Sequence, residues 1–185
     1  MKKLIAPLAV SLAIISGCAT GPGPSAAAND VRAFAMALRD RDIAGIESRI
    51  DRPALQSQVS GLARAIAGEE IAKRTGGSAL LGILGADLAA PVIDTLARRA
   101  LEPDVLADIA RRSGLTPETR LPGATMTAIA LRGLPDGRVC APDPKTRGCL
   151  LYFGQYPSGW KLNAIDETAL RSRLAVSGSE ASRRR

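Results

Sequence analysis

From Asp30 onward, apolar and polar positions alternate with the period of α-helices. Between Asp30 and Leu38 the apolar side chains recur at i, i+3, i+4 and i+7, which places them on one helix face. Asp42 is a suitable N-cap for a short second helix, and Asp51 followed by Pro53 is typical of the start of a third. The pattern therefore predicts a helical first half.

The segment 79–101 is the most apolar part of the chain beyond the N-terminal region. It contains Asp87, Pro91 and Asp94, and a central Asp costs about 2.5–3.5 kcal/mol to place in a bilayer. We therefore interpret the segment as a kinked or split helix of the core rather than a membrane span. The alternative is a helix that lies against a lipid surface or a lipid ligand.

Small and polar residues mark the expected ends of the helices around this segment. Gly76 and Gly77 predict the end of the third helix, and Ser78 is a suitable cap for the next. Gly82 and Gly85, spaced i and i+3, would let another helix or the sheet approach closely. A further helix is expected from Glu102–Pro103 to Gly114.

After Pro122 the period changes from 3.6 to 2. Alternation over 125–134 predicts a strand, and alternation over 149–156 and 159–165 predicts a terminal hairpin. Asp166 is positioned to cap a short closing helix. The fold class expected is α+β, with N-terminal helices followed by a small antiparallel sheet of three to four strands and a short C-terminal helix.

The N-terminal residues have the pattern of a secretory signal peptide. Lys2 and Lys3 precede an apolar run over 4–15, which is shorter than the roughly 20 residues of a membrane span. The run ends at Ile-Ser-Gly-Cys, 15–18, which resembles the lipobox of bacterial lipoproteins, with Ile15 in the place where Leu is usual.

This resemblance implies that Cys18 is acylated and becomes the mature N-terminus, so that the chain is held at a membrane of the cell envelope. Ala19 is similar to the residue found after the cysteine in lipoproteins sent to the outer membrane of Gram-negative bacteria. The alternative is cleavage after the small residues 26–28, which would release a soluble secreted protein.

The expected organisation is therefore a single domain behind a leader. Gly, Pro and Ala after Cys18 are typical of a linker. The predicted parts are a signal peptide over 1–17, a flexible tether over 18–29, one α+β domain over 30–176 and a disordered basic tail over 177–185.

The other two cysteines, Cys140 and Cys149, form an even pair in an oxidising compartment, which favours a disulfide. They flank 141–148, where two prolines and a glycine indicate a turn-rich loop. Such a bond would stabilise the fold by roughly 2–3 kcal/mol. A redox or zinc site is not favoured, because the spacing is not Cys-x-x-Cys and the chain has no histidine.

Composition limits the partners. Hydrophobic residues make up 46% of the 185 residues but aromatic ones only 3%, so the core must be mainly aliphatic. The formal charge is +7, yet basic residues are neither clustered nor interleaved with aromatics, so nucleic acid is not an expected partner. Scattered solvated arginines are one interpretation, and a surface that faces anionic lipid or acidic polymer is the other.

No group of residues in the sequence indicates a particular reaction. The absence of histidine excludes Ser-His-Asp and Cys-His catalysis, and no glycine-rich phosphate loop is present. Asp87 and Asp94 would lie about 10 Å apart on an unbroken helix, wide even for an inverting glycosidase, and Arg98 follows Asp94 at i+4. We expect no catalytic residue, metal or cofactor, and interpret both carboxylates as capping or ion-pairing groups.

The order of these motifs resembles a proteobacterial envelope family known only as a domain of unknown function. The similar blocks are 33–59, with Asp42, Asp51 and Pro53 at matching positions, then 101–114 and the closing strand 159–165. The resemblance implies coverage of about 30–166 and brings no activity. Its order of helices and sheet suggests the cone-shaped fold of nuclear-transport-factor-like and cystatin-like domains, by fold analogy alone.

The expected function is a lipid-anchored periplasmic binding or interaction domain of the cell envelope, with the membrane as one partner and an envelope protein, peptide or lipid as the other. A structural or accessory lipoprotein without a small ligand is the alternative, and a carboxylate-based hydrolase the less favoured one. A concave apolar pocket would favour the binding domain, and an exposed apolar patch a docking role.

Overall fold

The computed structural model describes residues 23–143 and 146–171. In these ranges the elements follow in the order α1 (Pro24–Asp40), α2 (Ile43–Ser48), α3 (Arg52–Arg74), α4 (Ala79–Ala100), α5 (Pro103–Arg112), α6 (Ala124–Ala130), β1 (Arg132–Gly133), β2 (Val139–Pro142), β3 (Cys149–Tyr156) and β4 (Gly159–Ile165), with a last helical turn over 167–171. The predicted signal peptide 1–17, Cys18 and the basic tail 177–185 lie outside the described residues.

Side-chain caps begin the helices where the sequence predicts them. The Asp42 carboxylate accepts a hydrogen bond from Gly45 N at 3.0 Å, and the Asp51 carboxylate accepts one from Ala54 N at 3.1 Å. Asp166 accepts from Ala169 N at 2.9 Å at the start of the last turn. Each cap satisfies an amide that has no partner within its helix.

The strands form an antiparallel sheet in the order β1-β2-β3-β4. Val139 pairs with Phe153, and Gln155 pairs with Trp160 across the β3–β4 hairpin. The loop between α2 and α3 adds to its edge, because Asp51 N donates to Leu162 O at 2.8 Å and Leu162 N to Arg49 O at 2.9 Å. The predicted α+β class, with N-terminal helices and a short C-terminal helix, is confirmed.

The core lies between α1 and the sheet. Phe34 and Phe153 meet edge to face, with ring centroids 5.9 Å apart. The other core side chains are small or aliphatic, apart from Trp160, and the most deeply buried large ones include Ile46, Leu55 and Val139. A core of this composition agrees with the low aromatic content of the chain.

The predicted disulfide is present. Cys140 in β2 and Cys149 at the start of β3 are bonded, with Cα atoms 5.5 Å apart. Cys140 is fully buried, so the bond fixes the β2–β3 connection against the core.

The predicted tether over 18–29 is wrong for its last residues, because α1 begins at Pro24. Ala27 and Ala28 are buried in the core. Alanine has the highest helix propensity, and proline is well suited to the first helical turn. The alanines therefore extend the helix and pack against the domain.

The predicted strand over 125–134 is also wrong. Residues Ala124–Ala130 form α6, which packs on α1, and Thr127 is buried with its hydroxyl bonded to Gly123 O at 3.1 Å. Only Arg132–Gly133 pair with β2. Alternation over so few residues does not distinguish a strand from a short helix when a helical neighbour supplies the burial.

The core interpretation of 79–101 fails for most of that segment. α4 is one helix that continues through Pro91, and its buried residues are Gly82, Ala86 and Ala97. The residues facing α3 are small, so the two helices pack closely and the large side chains project outward. As the sequence predicted, Gly82 allows the approach: a Cβ atom there would lie 2.7 Å from Gly68 O of α3.

Candidate binding site

An apolar cavity of about 380 Å³ lies between α1, α5, the sheet and the last helical turn. Its lining is contributed by every one of these elements: Phe34, Leu38, Leu106, Ile109, Ala110, Ser113, Leu115, Leu150, Leu151, Leu162, Ile165, Ala169 and Leu170. Ser113 supplies the single hydroxyl among these side chains. The cavity is therefore suited to an apolar group.

Helical spacing directs one face of α5 into the cavity. Leu106, Ile109, Ala110 and Ser113 follow each other at i, i+3, i+4 and i+7 and all line it. Ser113 is exposed and Ile109 is 42% exposed, so the cavity reaches the surface on this side.

One ion pair links α5 to the end of α1, and a second lies within α5. Asp108 lies 3.3 Å from Arg41 Nη1 and 3.1 Å from Arg111 Nη2. Arg41 occupies the left-handed region with φ 56° and ends α1. Exposed pairs of this kind contribute at most about 1 kcal/mol each, so they orient α5 rather than drive its packing.

A second feature is the α4 apolar face, defined by the exposed side chains Leu80, Leu81, Ile83, Leu84, Leu88, Val92 and Leu96. The helix has 22 residues. Its most apolar stretch of 18 residues has a mean hydropathy of 1.6, and 11% of that stretch is buried. By length and composition alone it could cross a membrane. None of these residues lines the cavity.

The two carboxylates of α4 do not form the pair weighed for hydrolysis. Both oxygens of Asp94 accept hydrogen bonds from Arg64 Nη2 of α3, at 2.6 and 2.7 Å, so Asp94 is an ion-pairing group whose hydrogen-bonded partner is Arg64 rather than Arg98. The Ser60 hydroxyl and then the Arg64 guanidinium lower the pKa of Asp94, which keeps it ionised. Asp87, two turns before Asp94, is exposed. Among the described residues, no group of three acidic or cysteine side chains could hold a metal ion.

A contact that the sequence did not predict links α3 to the sheet. The Tyr156 hydroxyl donates to Asp51 Oδ2 at 2.5 Å, while Asp51 Oδ1 caps α3. This bond, followed by burial, raises the pKa of Tyr156. The Pro53 signal identified Asp51 as a cap, but its partner lies 105 residues away, beyond the reach of any local pattern.

Replacing Tyr156 with Phe should lower the free energy of unfolding by about 1–2 kcal/mol at neutral pH, because a hydrogen bond to a charged group is lost. A raised pKa in the folded state means that ionisation of the phenol opposes folding. The wild type should therefore lose this advantage as pH rises above about 10, the unfolded value, and through the folded pKa. Urea unfolding of both chains across pH 8–11 measures the difference, and a constant gap at all pH values would contradict the linkage.

The helices and strands thus define an α+β domain with an apolar cavity. A family profile described as a protein of unknown function, DUF2939, matches residues 12–109, and the chain belongs to that family. The match spans α1 to α4 and most of α5, whereas the strands that wall the cavity, and the predicted similarity over 159–165, lie beyond it. Searches of curated proteins and of solved structures returned no match.

Proposed function

We propose that the chain is a binding domain of the cell envelope whose cavity takes an apolar group of the size of an acyl chain. The observation that carries the proposal is the lining: twelve of the thirteen side chains are apolar, and Ser113 is the other. A volume of about 380 Å³ is near the lower end of the range typical of small-molecule sites.

The chemistry of the lining favours binding over reaction. Each methylene buried there stabilises the complex by about 0.8 kcal/mol before the costs of association. A polar head group would find water and the Ser113 hydroxyl at the α5 side. No charged side chain is among the described residues that line the cavity, so a hydrolase is less well supported than a binding domain.

The lipid anchor is part of the same proposal. Its support is the lipobox-like sequence that ends at Cys18. Because α1 begins at Pro24, six residue steps separate the two, a reach of at most about 20 Å. An anchored domain would therefore stand close to the bilayer, near a supply of acyl chains, on the outer membrane if Ala19 sorts it there.

Filling the cavity should weaken binding. We expect Ala110→Trp to weaken binding of the fluorescent fatty acid cis-parinaric acid at least about tenfold, equivalent to about 1.4 kcal/mol, because the indole occupies the space of the ligand. Ala65→Trp, on an exposed part of α3, is the matched control and should bind as the wild type does.

Ser113→Trp, at the exposed side of the cavity, provides a second variant if Ala110→Trp melts early. Equal binding by the wild type, the cavity variants and the control would reject the cavity as the site. Absence of binding by the wild type itself would favour the alternative of an accessory protein without a small ligand.

A further inference from the structure

We infer that the α4 apolar face is a membrane-contact surface, on which the α3–α4 hairpin lies flat against anionic lipid with α4 in the interface and α3 toward water. This surface is separate from the cavity, since no residue of α3 or α4 lines the cavity. The inference therefore stands independently of the proposed ligand.

The hairpin has two chemically different sides. The seven aliphatic side chains of the α4 apolar face are 47–85% exposed. The exposed residues of α3 beyond Leu62 are Ala65, Glu69, Glu70, Lys73 and Arg74. Two closely packed helices thus form one amphipathic layer, apolar except for Asp87 on the α4 side and polar on the α3 side, the arrangement of an interfacial helix.

The exposed apolar area of α4 is larger than a monomer usually presents, so we expect a binding surface to bury it. Side chains of this size and exposure present on the order of 700 Å², above the roughly 300–600 Å² of the largest patch on a typical monomer. Leu88 at the centre of the face is 85% exposed. Burial of such a face in the acyl boundary of a bilayer is strongly favourable.

The charged residues of the hairpin favour a helix that lies on the membrane over one that crosses it. Asp87 is exposed halfway along α4, and Asp94 is bound to Arg64 of α3. Because Gly82 packs against Gly68, α4 cannot enter the bilayer core without carrying α3 with it. Each Asp, Lys or Arg placed at the centre of the bilayer would cost about 2.5–3.5 kcal/mol.

Charge also favours anionic lipid over a second copy of the chain. Arg98 and Arg99 are exposed at the C-terminal end of α4, whereas Lys73 and Arg74 belong to the α3 side. Basic residues next to an anionic surface contribute about 1 kcal/mol each. Two copies packed through this face would bring Arg98 and Arg99 of each into one interface, with Asp87 as the exposed acid of α4.

The test places a fluorophore on each side of the hairpin in the full chain, which is mixed with vesicles that contain nitroxide-labelled acyl chains. The labelled variants are Leu88→Cys on the apolar face and Ala65→Cys on the polar side. Both positions are exposed, so folding should be unchanged, and the parent chain measures labelling at Cys18. The vesicles are pure phosphatidylcholine or phosphatidylcholine with phosphatidylglycerol.

We expect the label at position 88 to be quenched several-fold more than the label at 65, and more strongly when phosphatidylglycerol is present. Equal quenching at the two positions, or none at 88, would overturn the inference. A blue shift at 88 that grows with protein concentration in detergent, without vesicles, would also overturn it and would identify a second copy as the cover.

Discussion

Leu55→Asp will abolish the cooperative melt of the domain, whereas Leu84→Asp will leave it nearly unchanged. Leu55 is 0% exposed in α3, and Leu84 is 51% exposed in α4. A carboxylate at position 55 would be buried among aliphatic side chains without a partner, at a cost on the order of 5 kcal/mol or more, comparable to the whole stability of a small domain. At position 84 the carboxylate stays in water.

The two variants carry the same chemical change on neighbouring helices of one hairpin, so each controls for the other. Thermal and urea unfolding measure both, with the Leu84 variant expected within about 0.5 kcal/mol of the wild type. If Leu84→Asp unfolds the protein, the α4 apolar face is core in solution and the structure of the hairpin is wrong.

Gly82→Leu should lower the free energy of unfolding by about 1–3 kcal/mol, because a side chain there forces α3 and α4 apart. A Cβ atom would lie 2.7 Å from Gly68 O and 3.1 Å from the Ala72 Cβ. The first contact is with backbone, which cannot move aside as a flexible side chain can. The Arg64–Asp94 pair between the same helices would be strained by the separation.

Gly61→Ala is the matched control for this prediction. Gly61 is exposed in the interior of α3, and a Cβ atom there would meet nothing within 4 Å. Alanine should stabilise the helix by about 0.5–1 kcal/mol. Urea unfolding should therefore give opposite signs for the two glycine replacements, and equal small effects would contradict close packing at Gly82.

Local signals in the sequence were sufficient for much of the fold. Asp42, Asp51 and Asp166 each cap the helix that the pattern assigned to them, because a cap depends on residues only three positions apart. The hairpin of β3 and β4 likewise needs only alternation and a turn. The Cys140–Cys149 bond was predicted from the even number of remaining cysteines and from the expectation of an oxidising compartment.

The predictions that were wrong concern segments whose structure depends on tertiary contacts. In the segment 79–101 the buried residues are the small ones, Gly82, Ala86 and Ala97, and the large apolar side chains are exposed. The sequence pattern shows how apolar a helix is but not which of its sides packs against a neighbouring helix. Pro24–Asn29 is helical because Ala27 and Ala28 have a core to enter, which composition alone did not reveal.

The cavity could be predicted only in part. The sequence predicted α5 itself, between Glu102–Pro103 and Gly114, but not the space beside its Leu106 and Ile109. Whether apolar faces from five elements fill the space between them depends on the sum of side-chain volumes. No local pattern of the sequence reports that sum, so the space between α1, α5 and the sheet is a finding of the structure.

The proposal of an apolar ligand is tested most directly by native mass spectrometry of the full chain purified from the membrane of its host, beside the Ala110→Trp variant. A covalent lipid at Cys18 would persist in denaturant, whereas a ligand in the cavity would not. We predict a non-covalent adduct with the mass of an acyl-chain compound on the wild type, lost on denaturation and absent from the variant. A wild type without such an adduct, or an equal adduct on both chains, would contradict the account.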